Sequence, residues 1–306
     1  MTIKRRVLEI KRAYYILSKR YFPYWLLLPS TLVIFGVIIY PLIYSFFLSL
    51  HRVYLNEPGI APFVGFRNYI KIFLDPFFWN TIERTFFFSL LSVTGVFVIG
   101  LGVALVLNRD FKYRGVVRAL ILIPWALPSV VVGTTWHWIY NANYGALNGL
   151  LLSLGLIDSY RSWLGNPSTA LYMVVITKIW KEAPFVALIL LAGLQTIPKN
   201  LYEVAKIDGS NSWHCFRHIT LPLLRPSILV VVVLQTMWSI RVFDIIYVMT
   251  RGGPANKTMV ITYYTFLRTF KFLDFGHGTA LAYIVTMFIV VLTLIYIKLL
   301  YVKVEY

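Results

Sequence analysis

Charged and polar side chains interrupt two of the most apolar stretches of this sequence. They are Lys178, Lys181 and Glu182 in the first stretch, and Gln235, Ser239, Arg241 and Asp244 in the second. A charge inside an apolar helix costs about 2.5–3.5 kcal/mol on insertion scales, so each such residue needs a structural or functional reason. Two interpretations remain open: the charges pair with one another, or they line a path for a polar solute.

The spacing of these charges allows pairing within each stretch. Lys178 and Glu182 are four residues apart, and Arg241 and Asp244 are three apart. Residues at these intervals lie on one face of a helix, so each pair could neutralise itself.

The same stretches carry aromatic side chains that suit a path for a sugar, because sugars bind to aromatic faces beside hydrogen-bonding groups. The spacing of Gln235, Trp238 and Ser239 places these side chains on one helical face. The candidate path consists of Trp180, Lys181, Gln235, Trp238, Ser239, Arg241, Asp244 and Tyr247.

Enzymatic chemistry finds little support elsewhere. A phosphate-binding Gly-x-x-x-x-Gly-Lys-Ser/Thr loop does not occur, so this chain is not itself an ATPase. His214 and His218 have the spacing of a metal pair but no glutamate of an HExxH motif between them. Cys215 is the single cysteine, which excludes an internal disulfide. We therefore expect no catalytic, cofactor-binding or metal-binding residue in this chain.

The composition identifies a membrane protein. Of the 306 residues, 59% are hydrophobic and only 13% are charged, and the mean hydropathy is +0.73. A soluble domain carries about 25% charged residues, so this chain cannot cover a water-facing surface of its size. The composition excludes a soluble enzyme, a disordered chain, collagen and a coiled coil.

The apolar residues form six stretches long enough to span a membrane as helices, which needs about 20 residues each. The predicted spans are about Tyr24–Leu50, Arg84–Leu107, Arg118–Tyr140, Thr169–Leu194, Leu223–Thr250 and Gly276–Leu300. Because the stretches are continuous rather than alternating, they predict an all-α bundle and not a barrel.

The basic residues orient this bundle. The segments expected on one side carry seventeen Lys and Arg residues and those on the other carry eight. The positive-inside rule then places both termini, and the loops after spans two and four, in the cytoplasm. The cations are spread over separate loops, which argues against nucleic acid as a partner. The expected organisation is a basic segment at 1–23, a six-helix domain at 24–302 and a short tail at 303–306, with the first span uncleaved.

The loop at 195–226 is long and has the pattern of a structured segment, where a connector would be short and polar. Pro198 suits the start of a helix, Asp208-Gly209 ends it, and Ser210 or Asn211 can cap a second short helix. Pro222 would open the fifth span. Two short helices joined by a glycine turn form a protrusion that suits a docking surface.

The loop resembles the hallmark of the inner-membrane permeases of binding-protein-dependent ABC importers. The matching residues are Glu203-Val204-Ala205, Asp208, Gly209 and Ile219-Thr220-Leu221-Pro222. Val204 replaces the usual alanine and keeps the face apolar. The alternative interpretation, an interfacial helix that only covers the end of the bundle, does not explain why these motif residues occur at this spacing.

Other motifs resemble the carbohydrate permeases, of the kind that transport maltose-type oligosaccharides and glycerol phosphate. These motifs are Tyr40-Pro41, Val64-Gly65-Phe66-x-Asn68-Tyr69, Pro124-Trp125, Tyr144-Gly145-x-x-Asn148, Trp180-Lys181-x-x-Pro184-Phe185, Val242-Phe243-Asp244, Gly252-Gly253-Pro254 and Phe272-x-Asp274-Phe275-Gly276.

The resemblance implies the type I importer fold, a prokaryotic cell membrane location and a set of partners. The partners are two ATPase subunits that carry ATP and Mg, a second permease that forms a heterodimer with this one, an external solute-binding protein, and membrane lipid. By this resemblance Glu203 offers a carboxylate to the ATPase, Ala205 permits close packing, and Gly209 sets the angle between the two helices. ATP-driven closure would switch the bundle between two states.

Two other classes of function remain as alternatives. A self-sufficient carrier or channel would show repeated halves and intramembrane acids for ion coupling. An intramembrane enzyme would need a nucleophile with its base, or metal ligands, inside the spans. Neither alternative explains the structured loop.

Overall fold

The architecture is taken from a computed structural model that describes residues 21–57, 59 and 61–300. Most of the predicted basic segment, at 1–20, and the predicted tail at 303–306 lie outside the described residues. Within them the regular secondary structure is helical, apart from two isolated bridges that pair His51 with Phe63 and Tyr54 with Asp274.

Thirteen helices follow one another along the described chain. They are α1 (Tyr21–Ser49, with a π-helical segment Ile34–Ile39), α2 (Arg67–Leu74), α3 (Pro76–Leu107), α4 (Arg114–Ala126), α5 (Ser129–Ile139), α6 (Ala146–Ser153), α7 (Ala170–Gln195), α8 (Lys199–Ile207), α9 (212–223, with a π-helical segment Phe216–Thr220), α10 (Arg225–Ile240), α11 (Asp244–Met249), α12 (Ile261–Phe266, continued by the π-helical Leu267–Lys271) and α13 (Phe275–Leu300).

Four helical segments of the described chain are long and apolar enough to cross a membrane. They are α1, α3, α10 with α11, and α13, and the bent pair α4 and α5 makes a fifth if it counts as one span. The remaining predicted span corresponds to α7, which has 26 residues but carries Lys178, Lys181 and Glu182. Fifteen residues of α7 are buried, so its charges face other helices rather than lipid.

The third predicted span was expected to be one helix and is not. The chain bends by 89° between α4 and α5. Pro128 lacks an amide hydrogen and forces the residue before it out of the helical conformation, and Leu127 is accordingly extended with ψ 139°. The fifth span is also interrupted, because residues 241–243 between α10 and α11 are not helical.

The centre of the bundle is the long contact between α3 and α7. Glycines let the two backbones approach closely. A Cβ at Gly95 would lie 2.3 Å from Ile179 Cδ1, and one at Gly100 would lie 2.7 Å from Val186 Cγ1. By contrast, α1 packs against α13 and has no buried residue in its most apolar segment.

Two asparagines from the family-like motifs act as clamps between segments. Asn148 is fully buried and its side chain forms hydrogen bonds with the backbone of Asn141 and Arg161 and with Trp163 Nε1. Asn68 donates from Nδ2 to the carbonyl oxygens of Ser49 (2.8 Å) and His51 (3.0 Å). Both motifs therefore stabilise the connections between helices.

A polar cluster joins the start of α3 to α12. Asp75 caps α3 by accepting a hydrogen bond from the amide of Phe77 (2.9 Å). The Tyr264 hydroxyl donates to Asp75 Oδ2 (3.0 Å) and accepts from Arg268 Nε (2.9 Å). Burial raises the pKa of the Tyr264 hydroxyl, so it stays a donor.

Candidate docking loop and intramembrane cavity

The first candidate site is the loop that connects α7 to α10. Helix α8 ends at Ile207, and the glycine stop that the sequence predicts follows at Gly209, which has φ +81°. The Gly209 amide donates to Lys206 O (3.1 Å) and the Ser210 amide to Ala205 O (2.9 Å). These bonds satisfy the last carbonyls of α8 and form the turn that only glycine adopts readily.

Asn211 starts the second helix of this loop. Its Oδ1 accepts a hydrogen bond from the His214 amide (2.8 Å), which selects Asn211 over Ser210 as the cap. The expectation that Pro222 opens the fifth span is wrong. Pro222 lies in the last turn of α9, and α10 begins at Arg225 with Pro226 in its first turn.

The two short helices of the loop are held against each other. The Tyr202 hydroxyl of α8 lies 3.0 Å from Thr220 Oγ1 of α9. Thr220 and Cys215 are buried, and Leu224 at the start of α10 is fully buried. The pair therefore forms a rigid hairpin attached to α10.

The outer face of this hairpin is apolar and exposed. Val204, Ile207 and Trp213 are 57%, 85% and 66% exposed, and Glu203 and Asp208 are exposed beside them. The remaining loop residues of the predicted docking set, Ala205, Ile219, Leu221 and Pro222, are half-buried. Large apolar side chains exposed together with charged ones on one short hairpin are typical of a protein-binding site.

The two histidines of α9 do not form a metal site with other ligands. Their rings stack at 4.0 Å, and His218 Nδ1 lies 3.1 Å from His214 O. Nowhere in the described chain do three His, Cys, Asp or Glu residues form a cluster that could hold a metal ion.

The second candidate site is an open polar cavity of about 340 Å³ between helices, with Arg241 and Asp244 exposed at it. It lies at the interruption between α10 and α11 and is bounded by α7 and the start of α5. Its lining consists of Ser129, Lys178, Glu182, Trp238, Arg241, Val242, Phe243, Asp244 and Ile245.

The charges at this cavity do not pair as their spacing allows. No ion pair within 4.0 Å joins Lys178 to Glu182 or Arg241 to Asp244 in the described structure. Glu182 instead lies 3.9 Å from Lys181. Helix α10 ends at Ile240, so the helical spacing assumed for Arg241 and Asp244 does not apply.

Lys181 has a structural partner that the sequence does not reveal. Its Nζ donates to Trp125 O (3.2 Å) at the end of α4, where the break before Pro128 removes the next helical amide. A cation at the carboxyl end of a helix also interacts favourably with the helix dipole. Lys181 is thereby held beside Glu182.

Aromatic rings connect the helices around the cavity. Phe185 of α7 stacks on Trp125 at 4.7 Å and packs against Trp238 at 5.5 Å. Trp180, by contrast, packs against Trp136 at 5.5 Å. The structure thus brings the predicted Pro124-Trp125 and Pro184-Phe185 motifs together.

The predicted path residues divide into two groups. Trp238, Arg241 and Asp244 line the cavity, whereas Trp180, Lys181, Gln235, Ser239 and Tyr247 are not part of its lining. Tyr247 stacks on Phe243 at 5.4 Å. Gln235 and Ser239 are 1% and 0% exposed, and their side-chain polar atoms have no hydrogen-bond partner in the described residues.

Lys178, Glu182, Ser129 and Phe243 line the cavity but were not among the eight residues of the candidate path, although one of the two interpretations left open for Lys178 and Glu182 was that they line such a path. The charge of Lys178 and Glu182 within an apolar stretch was a signal that could have identified them. Phe243 belongs to the motif Val242-Phe243-Asp244, which was a second signal. Ser129 carries none, since only the helix interruption before it brings it to the cavity.

Comparison with known proteins gives a family match. Residues 96–303 match the model of the family described as binding-protein-dependent transport system inner membrane component. This match covers most of the helical region, including the loop and the cavity.

Two relatives match over most of their length. The trehalose/maltose transport system permease protein MalF of Thermococcus litoralis is 42% identical over 266 residues, which cover 87% of this chain and 89% of that protein. The sulfoquinovosyl glycerol transport system permease protein SmoG of Agrobacterium fabrum is 41% identical over 263 residues, or 85% and 84% of the two chains.

A solved structure shares the fold. It is a chain of a bacterial ABC transporter involved in the import of the acidic polysaccharide alginate, with a TM-score of 0.79 and 24% identity. The alignment covers 94% of this chain and 97% of that chain.

Proposed function

The chain belongs to the family of inner-membrane components of binding-protein-dependent transport systems, and on that premise we propose that it conducts a saccharide through the membrane. As a member of this family it is the permease subunit of an importer, a transport component without its own ATPase site. The substrate class rests on relatives named as permeases for trehalose, maltose and sulfoquinovosyl glycerol.

The observation that carries the coupling proposal is the exposed face of the hairpin formed by α8 and α9. Val204 and Ile207 would insert into a groove of an ATPase subunit, with Glu203 at the edge of the contact. Because the hairpin is rigid and continuous with α10, movement of the ATPase would reach the interruption at residues 241–243. There the cavity would alternate between the two sides of the membrane.

The proposed topology has six spans, with α4 and α5 as one broken span and α7 as the central one. Both termini and the hairpin would lie in the cytoplasm, as the basic residues of the loops favour. The proposed partners are two ATPase subunits, a second permease and an external binding protein.

Co-purification of the tagged chain, expressed with its neighbouring genes and placed in nanodiscs, tests the proposal. We expect an ATPase and a second permease in near-equal amounts, with ATP hydrolysis stimulated by the loaded binding protein. A lone chain that moves solute in liposomes without ATP would instead establish a carrier or channel.

Gly209→Val is expected to weaken association with the ATPase. Gly209 has φ +81°, a conformation that costs a residue with a Cβ about 1–2 kcal/mol, although no atom lies within 4 Å of the added Cβ. The turn between α8 and α9 would open, and the recovered ATPase should fall several-fold. Gly209→Asn is the control, since asparagine tolerates this conformation and should retain the ATPase. Equal recovery with both variants would contradict the role of the turn.

Trp238→Ala is expected to raise the apparent KM of uptake about tenfold, which corresponds to about 1.4 kcal/mol of binding. The ring lines the cavity and packs against Phe185. The matched control is Trp180→Ala, which removes an indole outside the cavity lining. ATPase recovery should be unchanged in both. A normal KM in Trp238→Ala would exclude Trp238 from the path.

A further inference from the structure

The cavity between α7 and the interruption of the fifth span contains a buried lysine without a partner. Lys178 is 3% exposed and lines the cavity. It makes no hydrogen bond or ion pair within the described part of the chain. Its nearest acidic neighbour along the helix, Glu182, lies within 4.0 Å of Lys181 instead.

The charges that remain at the cavity are unbalanced. The lining holds the cations Lys178 and Arg241 and the carboxylates Glu182 and Asp244. Lys181, which lies 3.9 Å from Glu182, adds a third cation beside the lining. A buried cation such as Lys178 needs a counter-charge, and the described residues at and beside the cavity supply two carboxylates for three cations.

The chemistry of the two cations indicates what completes the site. An ammonium binds a phosphate, sulfonate or carboxylate as a point charge, and a guanidinium binds the same groups through two parallel hydrogen bonds. Trp238 and Phe243 provide aromatic faces on the same lining, and Ser129 provides a hydroxyl. The site thus offers positive charge next to surfaces for a sugar ring.

We propose that this cavity binds an acidic saccharide, a sugar bearing a carboxylate, sulfonate or phosphate group, with Lys178 and Arg241 as the residues that hold the anionic group. The inference rests on the proposed function, because it names the substrate class of the same path. It predicts that an importer containing this chain prefers acidic to neutral sugars.

The first test measures, by thermal shift, which solutes bind to the purified binding protein of the same importer. The probes are trehalose and maltose as neutral sugars, and digalacturonate, sulfoquinovosyl glycerol and glycerol phosphate as acidic solutes. We expect stabilisation by an acidic probe. A binding protein stabilised by the neutral probes alone would overturn the inference and leave the import of saccharides intact.

The second test is ATP-driven uptake of the stabilising acidic probe by the whole complex in proteoliposomes. Lys178→Gln should lower the uptake rate at least tenfold, and Lys178→Arg should stay within about threefold of wild type. Uptake equal to wild type in Lys178→Gln would overturn the inference. A different result would contradict the proposed function itself: no sugar, acidic or neutral, would enter the proteoliposomes in the presence of ATP and the binding protein.

A double variant separates substrate binding from a structural role. If Lys178 merely neutralises Glu182, then Lys178→Gln combined with Glu182→Gln should restore uptake. If Lys178 holds the anionic group, the double variant should be as slow as Lys178→Gln. Restored uptake of the acidic probe would therefore overturn the inference. Co-purification of the ATPase and second permease confirms that each variant is assembled.

Discussion

Replacing Glu203 with lysine is expected to reduce ATP-driven uptake at least about 100-fold while the chain still folds and inserts. Glu203 is exposed on α8 and forms no ion pair among the described residues, so its replacement breaks no internal salt bridge there. At a contact with the ATPase, reversal of its charge places like charges together, which costs several kcal/mol. A 100-fold loss corresponds to about 2.7 kcal/mol.

The measurement is uptake in membrane vesicles together with the amount of ATPase that co-purifies with the variant. Asp158→Lys is the matched control, because it makes the same charge reversal at an exposed residue in the loop before α7. The control should transport normally. Wild-type uptake by Glu203→Lys would exclude the hairpin as the ATPase contact.

Gly276→Ala is expected to cost about 2–3 kcal/mol of stability, within the range for overpacking of a close contact. An added Cβ would lie 2.3 Å from the carbonyl oxygen of His51 and 3.2 Å from Asn68 Nδ2. Since Asn68 donates to that carbonyl, the substitution would open the connection between α1, α2 and α13. The carbonyl oxygen of His51 cannot rotate away as a side chain could, so the clash can be relieved only by a shift of the backbone.

Thermal unfolding in detergent, with the yield of monodisperse protein, measures this effect. The control is Gly102→Ala in α3, where no atom lies within 4 Å of the new Cβ. Alanine favours a helix over glycine by about 1 kcal/mol, so the control should be neutral or stabilising. Equal unfolding midpoints for the two variants would show that the backbone around Gly276 accommodates the new Cβ without loss of stability.

Local features of the sequence predicted much of the hairpin and of the helices. The glycine cap at Gly209 and the cap at Asn211 before α9 each depend on residues within one helical turn. Such short-range features can be predicted from sequence patterns. The resemblance of the loop to importer permeases likewise depends on short-range spacing. Family membership and the transport role followed from these patterns and agree with the family match.

The spans were predicted less well wherever a helix is interrupted. Hydropathy measures composition and cannot distinguish a straight helix from two helices at 89°, although Pro128 marked the position of the bend. The predicted pairing of Arg241 with Asp244 failed for the same reason, because it assumed an unbroken helix through Arg241, which lies just beyond the end of α10. Lys178 and Glu182 do not pair within the unbroken helix α7, where Glu182 lies 3.9 Å from Lys181 instead.

Residue types and their spacing were enough to predict a helical membrane permease and to propose a docking loop, because hydropathy, turn chemistry and motif spacing act over short distances. The partner of Lys181, the unpaired charge of Lys178 and the makeup of the cavity depended on how α4, α7 and α10 pack together. A lysine has the same local sequence whether it caps a distant helix or faces a cavity. Only long-range packing decides which of these environments it occupies.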